Sequence, residues 1–474
     1  MKQDSTDSNG VMLNNGGQSR REFLKLAGLA GAAILAHAAP LPAAPVPRRK
    51  KSSEPLNIAL IGVQGRAANT IRDFLRLDEN IVALCDVDTT RLEKGAELAG
   101  SRFPNARRYQ DYRKLFETEK ELDAVVITTP DHMHAPISLL AMSLGLHVFC
   151  EKPLTRTVWE ARQMRDLARK SGVVTQMGNQ GSAAPSLRRT VEAIRAGVLG
   201  SVREVHVWTD RISRLNPKMG DTRQVPANLD WNLWLGVAGE EPFNPQVHPS
   251  YWRWWQNFGG GALGDMACHL MNMPFRALDL SDPSTVDVEV SEALRPGMFP
   301  TSSKVVYDFP KRDKRGALKL TWYDGGKVPD KQLIESLGVI EDFEKMQPNA
   351  NLVIGEKGVL YDDAFLKLNG EKEFTHISQH AACASIPETI PRAKHSGTSG
   401  HYREWAEACK GIGSTYSGFD IAAALTEMVQ IGAVAVKLGR KIRWDAERMR
   451  VIGEPAADAL LRPTYRPGFT LTEI

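Results

Sequence analysis

The sequence predicts an α/β chain. Its N-terminal part reads as a doubly wound parallel sheet, and its C-terminal part as an α+β domain with a mostly antiparallel, open sheet. Three observations carry this. Between Leu56 and Gln180 short apolar runs alternate with helix-patterned stretches, the order that builds a parallel sheet through right-handed crossovers. Beyond Gly200 the runs alternate apolar and polar residues, the period of a half-exposed strand, and follow one another without helices between them. At 474 residues the chain also exceeds what one core ordinarily holds. We divide it into a leader and linker (1–54), the parallel-sheet domain (55–178), the second domain (179–440) and a C-terminal tail (441–474).

Composition is that of a globular protein. The net charge of +4 is carried by the leader: residues 1–51 hold eight Lys or Arg against three Asp or Glu, which leaves the remainder near neutral. No basic stripe with interleaved aromatics is present, so nucleic acid is not an expected partner. The five cysteines are Cys85, Cys150, Cys268, Cys383 and Cys409. They are scattered, and Cys85 and Cys150 end apolar runs, so buried thiols are expected rather than disulfides.

Ser19-Arg20-Arg21-Glu22-Phe23-Leu24-Lys25 is a twin-arginine pattern, followed by an Ala/Gly-rich apolar run from Leu26 to about Ala36. Small-residue cleavage options follow at Ala36-His37-Ala38 and Pro42-Ala43-Ala44. The expectation is recognition by the twin-arginine export machinery and a periplasmic or otherwise exported location. The apolar run is too short for a membrane span, and no span is expected in the mature chain. Residues 45–54 read as a basic, Pro-rich linker.

In the first domain, Leu56–Gly62 is an apolar strand that ends in glycine. Gly62-Val63-Gln64-Gly65-Arg66 then opens a helix to about Leu77, the place for a pyrophosphate loop. The usual second and third glycines of such a loop fall on Gln64 and Ala67. A second strand, Ile81–Cys85, ends in Asp86, 24 residues after Gly62. That spacing suits a carboxylate on the adenosine ribose, which favours NAD over NADP, although Arg66 or Arg91 leaves NADP open. A helix N-cap is the structural alternative for Asp86. The strand Asp123–Thr129 runs into Pro130-Asp131-His132-Met133-His134. The two histidines lack a third ligand at metal spacing, so no metal is expected. Thr129, Pro130 and His132 instead read as a loop covering the cofactor, with a helix from about Pro136. The strand 147–151 ends in Glu151-Lys152-Pro153. Lysine at the carboxyl end of a buried strand is a costly placement without a task, which makes Lys152 a catalytic candidate. A helix over Val158–Ser171 and a strand from Val173, ending in the amides Asn179 and Gln180, complete the domain.

In the second domain, strand-like runs fall at Val202–Arg211, Thr285–Leu294, Ser303–Phe309, Gly316–Tyr323, Asn351–Ile354 and Gly358–Tyr361. Residues 326–350 and 371–398 look like surface excursions. An aromatic stretch holds Trp231, Trp234, Tyr251, Trp252, Trp254 and Trp255. Such rings suit sugar faces and cores equally; His248 and Arg253 tip the reading toward a pocket wall. Gly259–His269 is a glycine-rich lead into a helix, with Asp265 and His269 four apart on one face. Asp at that spacing can orient an imidazole; a capping Asp and a packed His are the alternative. Helices near Tyr402–Lys410 and Ile421–Leu438 follow, the latter patterned for packing, and the tail from Arg440 is expected to wrap a surface.

These motifs resemble the glucose–fructose oxidoreductase/inositol dehydrogenase (Gfo/Idh/MocA) family over about residues 55–440. The resemblance rests on the Gly62/Gly65 turn, Cys85-Asp86-Val87-Asp88, Thr129-Pro130-Asp131-His132, Glu151-Lys152-Pro153, and Gly264-Asp265 through His269. It implies a Rossmann first domain and NAD- or NADP-dependent oxidation or reduction of sugars and cyclitols. By resemblance, Lys152 orients substrate and stabilises an alkoxide, His269 is the acid/base, and Asp265 holds it or touches substrate. Glu151 and Asn179 join the cofactor residues Gly62, Gln64, Gly65, Arg66, Asp86, Thr129, Pro130, His132 and Lys152. Gln180 and Arg211 join Trp252, His248 and Arg253 around the substrate. Some relatives hydrolyse glycosides through an oxidation–elimination–hydration–reduction cycle on tightly bound NAD. Export makes that alternative attractive, since free cofactor is scarce outside the inner membrane; a non-enzymatic sugar-binding protein is the remaining class. An open sheet face also leads to an expectation of self-association.

Overall fold

The computed structural model describes residues 50–469 apart from 217, 222–223, 314, 340–345 and 395–396. The twin-arginine pattern and its cleavage options lie outside the described residues.

The first layer comprises β1 (Asn57–Ile61), α1 (Arg66–Phe74), β2 (Asn80–Cys85), α2 (Thr89–Ala99), β3 (Arg107–Tyr109), α3 (Tyr112–Thr118), β4 (Ala124–Ile127), α4 (His134–Ser143), β5 (His147–Glu151), α5 (Val158–Ser171) and β6 (Thr175–Gly178). Its six strands are parallel in the order β3-β2-β1-β4-β5-β6. β4 and β5 are buried along their whole length, which is why they read as unbroken apolar runs. The helix ends are set locally. Thr157 and Glu160 form a capping box at the start of α5, and Gly172 ends it in the left-handed region at φ 67°. Asp88 caps α2 by accepting from the Thr90 and Arg91 amides. The order reverses between β1 and β4, so a crevice opens at their carboxyl ends.

The second layer adds α6 (Pro185–Arg195), β7 (Val202–Thr209), α7 (Trp231–Leu235), α8 (Gly261–Leu270), α9 (Asn272–Leu278), β8 (Thr285–Val290), β9 (Ser303–Phe309), β10 (Leu318–Tyr323), α10 (Lys331–Ser336), β11 (Asn349–Gly355), β12 (Gly358–Tyr361), β13 (Phe365–Leu368), β14 (Thr375–His376), α11 (Gly397–Cys409), α12 (Phe419–Leu438), β15 (Ile442–Asp445) and β16 (Arg450–Val451). The ten strands run in the order β14-β13-β12-β11-β7-β10-β9-β8-β15-β16. Among the described strands of this sheet, only β7 and β10 pair in parallel.

α12 is 20 residues long and apolar enough to pass for a membrane span by length and composition. It is instead a core helix, packed on α5 of the first layer and on α8 and β8 of the second. Its polar side chains have interior partners: Glu427 accepts from Arg162 and Gln430 donates to the Thr155 carbonyl.

Two expectations need correction. The tail does not merely wrap a surface: β15 and β16 extend the sheet, and the Tyr465 hydroxyl donates to Glu160 at 2.8 Å. Nor is the outer sheet face fully open. Trp208, Tyr323, Ala350 and Leu352 on that face pack under Ile334 of α10, within the 326–350 excursion. All five cysteines are buried free thiols.

Candidate active site

The crevice widens into a cavity of about 450 Å³. One wall is the first domain, with Gly62, Gln64, Gly65, Arg66, Asp86, Thr129, Pro130, Glu151 and Lys152. The facing wall is a segment of the second domain, with Leu233, Trp234, His248, Pro249, Ser250, Trp252 and Arg253. Gly62 has φ 81°, and a Cβ there would sit 2.9 Å from the Thr128 carbonyl carbon and oxygen, so the β1–β4 approach demands glycine. Gly65 precedes α1 and leaves that helix start, which lines the cavity at Arg66, without a side-chain cap, the kind of terminus that suits an anion. Asp86 accepts from the Val63 and Asp88 amides, each at 3.1 Å. Burial pushes its carboxyl up, and those backbone donors and Arg91 pull it partly back.

Two residues that line the cavity carry buried polar atoms without a protein partner, Thr129 Oγ1 and Glu151 Oε2, and so do both amide atoms of Asn179, just past the neighbouring strand β6. Such orphans are costly unless a ligand meets them. Together with the uncapped helix start and Asp86 they fit a nucleotide bearing phosphate, hydroxyl and amide groups. Among the described residues no group of three or more His, Cys, Asp or Glu gathers at metal-binding distances.

At the other end of the cavity, Lys152 follows β5 and its Nζ donates to Asp265 Oδ1 and to the Asp265 carbonyl, both at 2.7 Å. Arg253 brings its Nε to 3.2 Å from Asp265 Oδ1 and its Nη1 to 3.0 Å from Asp131 Oδ1. Arg211 Nε stands 4.0 Å from Asp265 Oδ2. Burial alone would raise the Asp265 carboxyl, but Arg253, Lys152 and Arg211 hold it well below the usual carboxylate range. Burial and the neighbouring Lys152 push the His269 imidazole down to about 3, so it is neutral. Glu151 Oε1 accepts from Gln180 at 3.0 Å and from Tyr402 at 3.3 Å, with Arg66 Nε at 3.5 Å.

The structure therefore gathers Lys152, Asp265, Arg253 and Arg211 into one charge cluster, with His269 electrostatically coupled to it. It departs from expectation at four residues. Asp265 does not hold His269: three cations lie within reach of the carboxylate, and they take it in preference to a neutral imidazole. His132 does not line the cavity; its ring is fully buried, Nε2 lies 2.8 Å from the Trp234 carbonyl, and it packs on Phe258. His248 does not face the Lys152 end. It lies 3.2 Å from Asp88, beside the Asp86 end of the cavity. Gln180 is spent on Glu151 and Tyr402 rather than offered to a substrate. Two residues were missed. Asp131 anchors Arg253, and its place in the loop after β4 was a signal. Tyr402 reaches Glu151 from 251 positions away and gave none.

The fold and cavity define a dinucleotide-binding α/β protein. Residues 56–179 match the family model described as oxidoreductase family, NAD-binding Rossmann fold, and residues 205–309 match the same family's C-terminal alpha/beta domain. These two stretches, just under half of the chain, are similar to the Gfo/Idh/MocA oxidoreductase family. A D-glucoside 3-dehydrogenase from Escherichia coli is 34% identical over 166 residues, which are 34% of this chain and 45% of that protein. A glycosyl hydrolase family 109 protein from Shewanella pealeana is 28% identical over 228 residues, 43% of this chain and 50% of that protein. The chain thus spans half or less of these relatives' length. Among solved structures, an inositol dehydrogenase homolog from Azotobacter vinelandii, complexed with NADH and myo-inositol, superposes with a TM-score of 0.56 at 20% identity, covering 83% of this chain and 99% of that one. An aldose-aldose oxidoreductase from Caulobacter crescentus has a TM-score of 0.56 at 18% identity, covering 82% of this chain and all of that one (100%). These likenesses show the fold.

Proposed function

We propose that the protein is an NAD-dependent oxidoreductase acting on a CH–OH group of a sugar or cyclitol, exported by the twin-arginine route. The observation that carries the chemistry is the Lys152–Asp265 pair at 2.7 Å, set at the end of the cofactor cavity beside a neutral His269. Bound NAD supplies hydride acceptance. Gly62, Gly65 and the start of α1 would hold its pyrophosphate, and Asp86 its adenosine ribose. Lys152 donates to the substrate oxygen and stabilises the charge that develops there as the carbonyl forms. Asp265 keeps that ammonium aimed, and Arg253 and Arg211 keep Asp265 ionised. His269, unprotonated, is in the form that accepts the hydroxyl proton.

A second reading has specific support in the family 109 glycosyl hydrolase relatives. In this reading the sugar hydroxyl would be oxidised, the glycosidic group eliminated, water added and the ketone reduced again. The same side chains serve both readings, and the export pattern suits a cycle that needs no free cofactor. Lys152→Ala tests both: it should abolish turnover and leave NADH binding intact, and full activity in that variant would overturn the assignment. Incubating the purified protein with aryl glycosides, without added cofactor, separates the readings. Release of the free aglycone indicates hydrolysis; reduction of NAD by a free sugar indicates the dehydrogenase.

A further inference from the structure

The wall of the cavity opposite the first domain is a strap, residues 228–258, tied down unequally at its two ends. At the Lys152 end the ties are buried. Arg253 pairs with Asp131 at 3.0 Å, and the strap's Trp234 and Phe258 rings enclose His132, at 5.1 and 5.2 Å between ring centroids. At the Asp86 end the ties are hydrogen bonds converging on one carboxylate. Asn228 Nδ2 donates to Asp88 Oδ1 at 2.7 Å, and His248 Nε2 lies 3.2 Å from Asp88 Oδ2. The backbone adds Thr89 N to the Asn228 carbonyl at 2.8 Å and Asp230 N to the Val87 carbonyl at 3.0 Å. Asp88 also caps α2, immediately beyond the Asp86 strand end.

We propose that Asp88, Asn228 and His248 form a latch that gates exchange of the nicotinamide dinucleotide, with the strap opening at the Asp86 end while Arg253 stays anchored. This rests on the cofactor reading above, and it adds a route and residues that control residence of the nucleotide. A nucleotide lying between Gly65 and Asp86 has the strap over it; leaving requires the Asp88 contacts to part, whereas the Arg253–Asp131 pair and the aromatic cluster need not. The first-domain side chain packed into the strap's apolar cluster at this end is Val87, and the Asp88 bonds are the polar part of the barrier, the part the chain can vary. A latched cofactor outlasts a turnover, and the enzyme then works by returning the hydride to a second sugar or to the same one.

The test uses the full chain and NADH as the probe. Uptake is followed by nicotinamide fluorescence on mixing, and release by chasing the loaded protein with excess NAD⁺. Asn228→Ala removes a latch donor that does not line the cavity. Asp88→Asn weakens the tie to His248 and keeps a good N-cap for α2, which covers the case in which the first variant fails to fold. The latch predicts that association and dissociation both accelerate, by about tenfold for one hydrogen bond to a charged group, while Kd moves less than about twofold. Unchanged rates overturn it. So does faster release alone with Kd weakened in proportion, which would mean an ordinary binding contact. If the unaltered protein takes up no NADH, the cofactor reading itself fails, a result distinct from normal binding with variant-insensitive rates.

Discussion

Asp265→Asn is the most informative single change, because one carboxylate stands among three cations. Its side chain is 17% exposed, against 13% for Lys152 and 19% for Arg253, so the cluster is largely out of water. Removing one partner of such a pair costs about 3–5 kcal/mol, because the remaining charges are left uncompensated. Asparagine keeps an acceptor for Lys152 Nζ, which places the expected loss near the lower bound, about 3 kcal/mol. For a chain of this length that corresponds to a fall of roughly 5 °C in apparent Tm, scaled down from the shift per kcal/mol of smaller domains. Thermal and urea unfolding of the two proteins between pH 8 and pH 3 would measure it. The folded carboxyl is held far below its ordinary value, so its stabilisation is complete above the unfolded pKa of about 3.9 and is lost as pH falls through the folded one. The difference between the proteins should therefore be flat from pH 8 to about pH 5 and shrink only below about pH 4. Equal stability at neutral pH, or a difference that fades near pH 6–7, would refute the charge-cluster argument.

Other outcomes follow from the same geometry. Burial holds His132 and His269 near about 3 and His147 and His401 near about 4, so each costs about 1.4 kcal/mol of stability per pH unit below about 6.5, where the unfolded chain takes up the proton. Asp363 and Asp324, raised to about 7 and about 6, act in the opposite direction. Among these six groups the histidines outnumber the aspartates, so stability should fall between about pH 6 and pH 4.5; a urea midpoint that rises there would contradict it. Gly62→Ala should weaken NADH binding more than tenfold in a fluorescence titration. Gly65→Ala should do less, since its Cβ would meet only the end of Arg91 at 3.6 Å. Equal effects would argue against the close β1–β4 approach. Tyr402→Phe removes a hydroxyl bonded to Thr70 at 2.9 Å and to Glu151 at 3.3 Å, and should cost about 1–3 kcal/mol. A loss below about 0.5 kcal/mol would mean that these bonds carry nothing net.

What the sequence disclosed is what local physics determines. Apolar runs ending at Gly62, Asp86, Pro130 and Lys152 are strands because both faces of that sheet are covered, and α5 lies over Val158–Ser171, with its capping box at one end and Gly172 at the other. The i, i+4 spacing of Asp265 and His269 did put both near Lys152, but spacing along one helix says nothing of what arrives from elsewhere. Arg253 and Arg211 reach Asp265 from separate loops, and opposite charge outweighs adjacency. The same holds for His248. With Arg253 it reads in the sequence as a pocket wall, and it does line the cavity, but beside Asp88 of the first domain rather than at the Lys152 end. β15 and β16, at one end of the sheet, were hidden because they are short, and α10 because it lies in a stretch without marked periodicity.

The glycine run before α8 and the lysine after β5 are parts of one arrangement. A Cβ on Gly259 would lie 2.5 Å from the Arg253 backbone, and one on Gly260 would lie 2.9 Å from Gly264 Cα. Glycine there lets the Arg253 loop and the start of α8 close on each other to backbone distance. That closeness brings the Arg253 guanidinium to Asp265 while its other face reaches Asp131 of the first domain. Lys152, delivered from the opposite side by a buried strand, meets both the carboxylate and the carbonyl of Asp265. A side chain at Gly259 would push Arg253 outward, leave Asp131 buried without its partner, and remove one of the three cations that hold Asp265 away from His269. The sequence feature that reads as a flexible lead into a helix thus fixes which residue Asp265 serves.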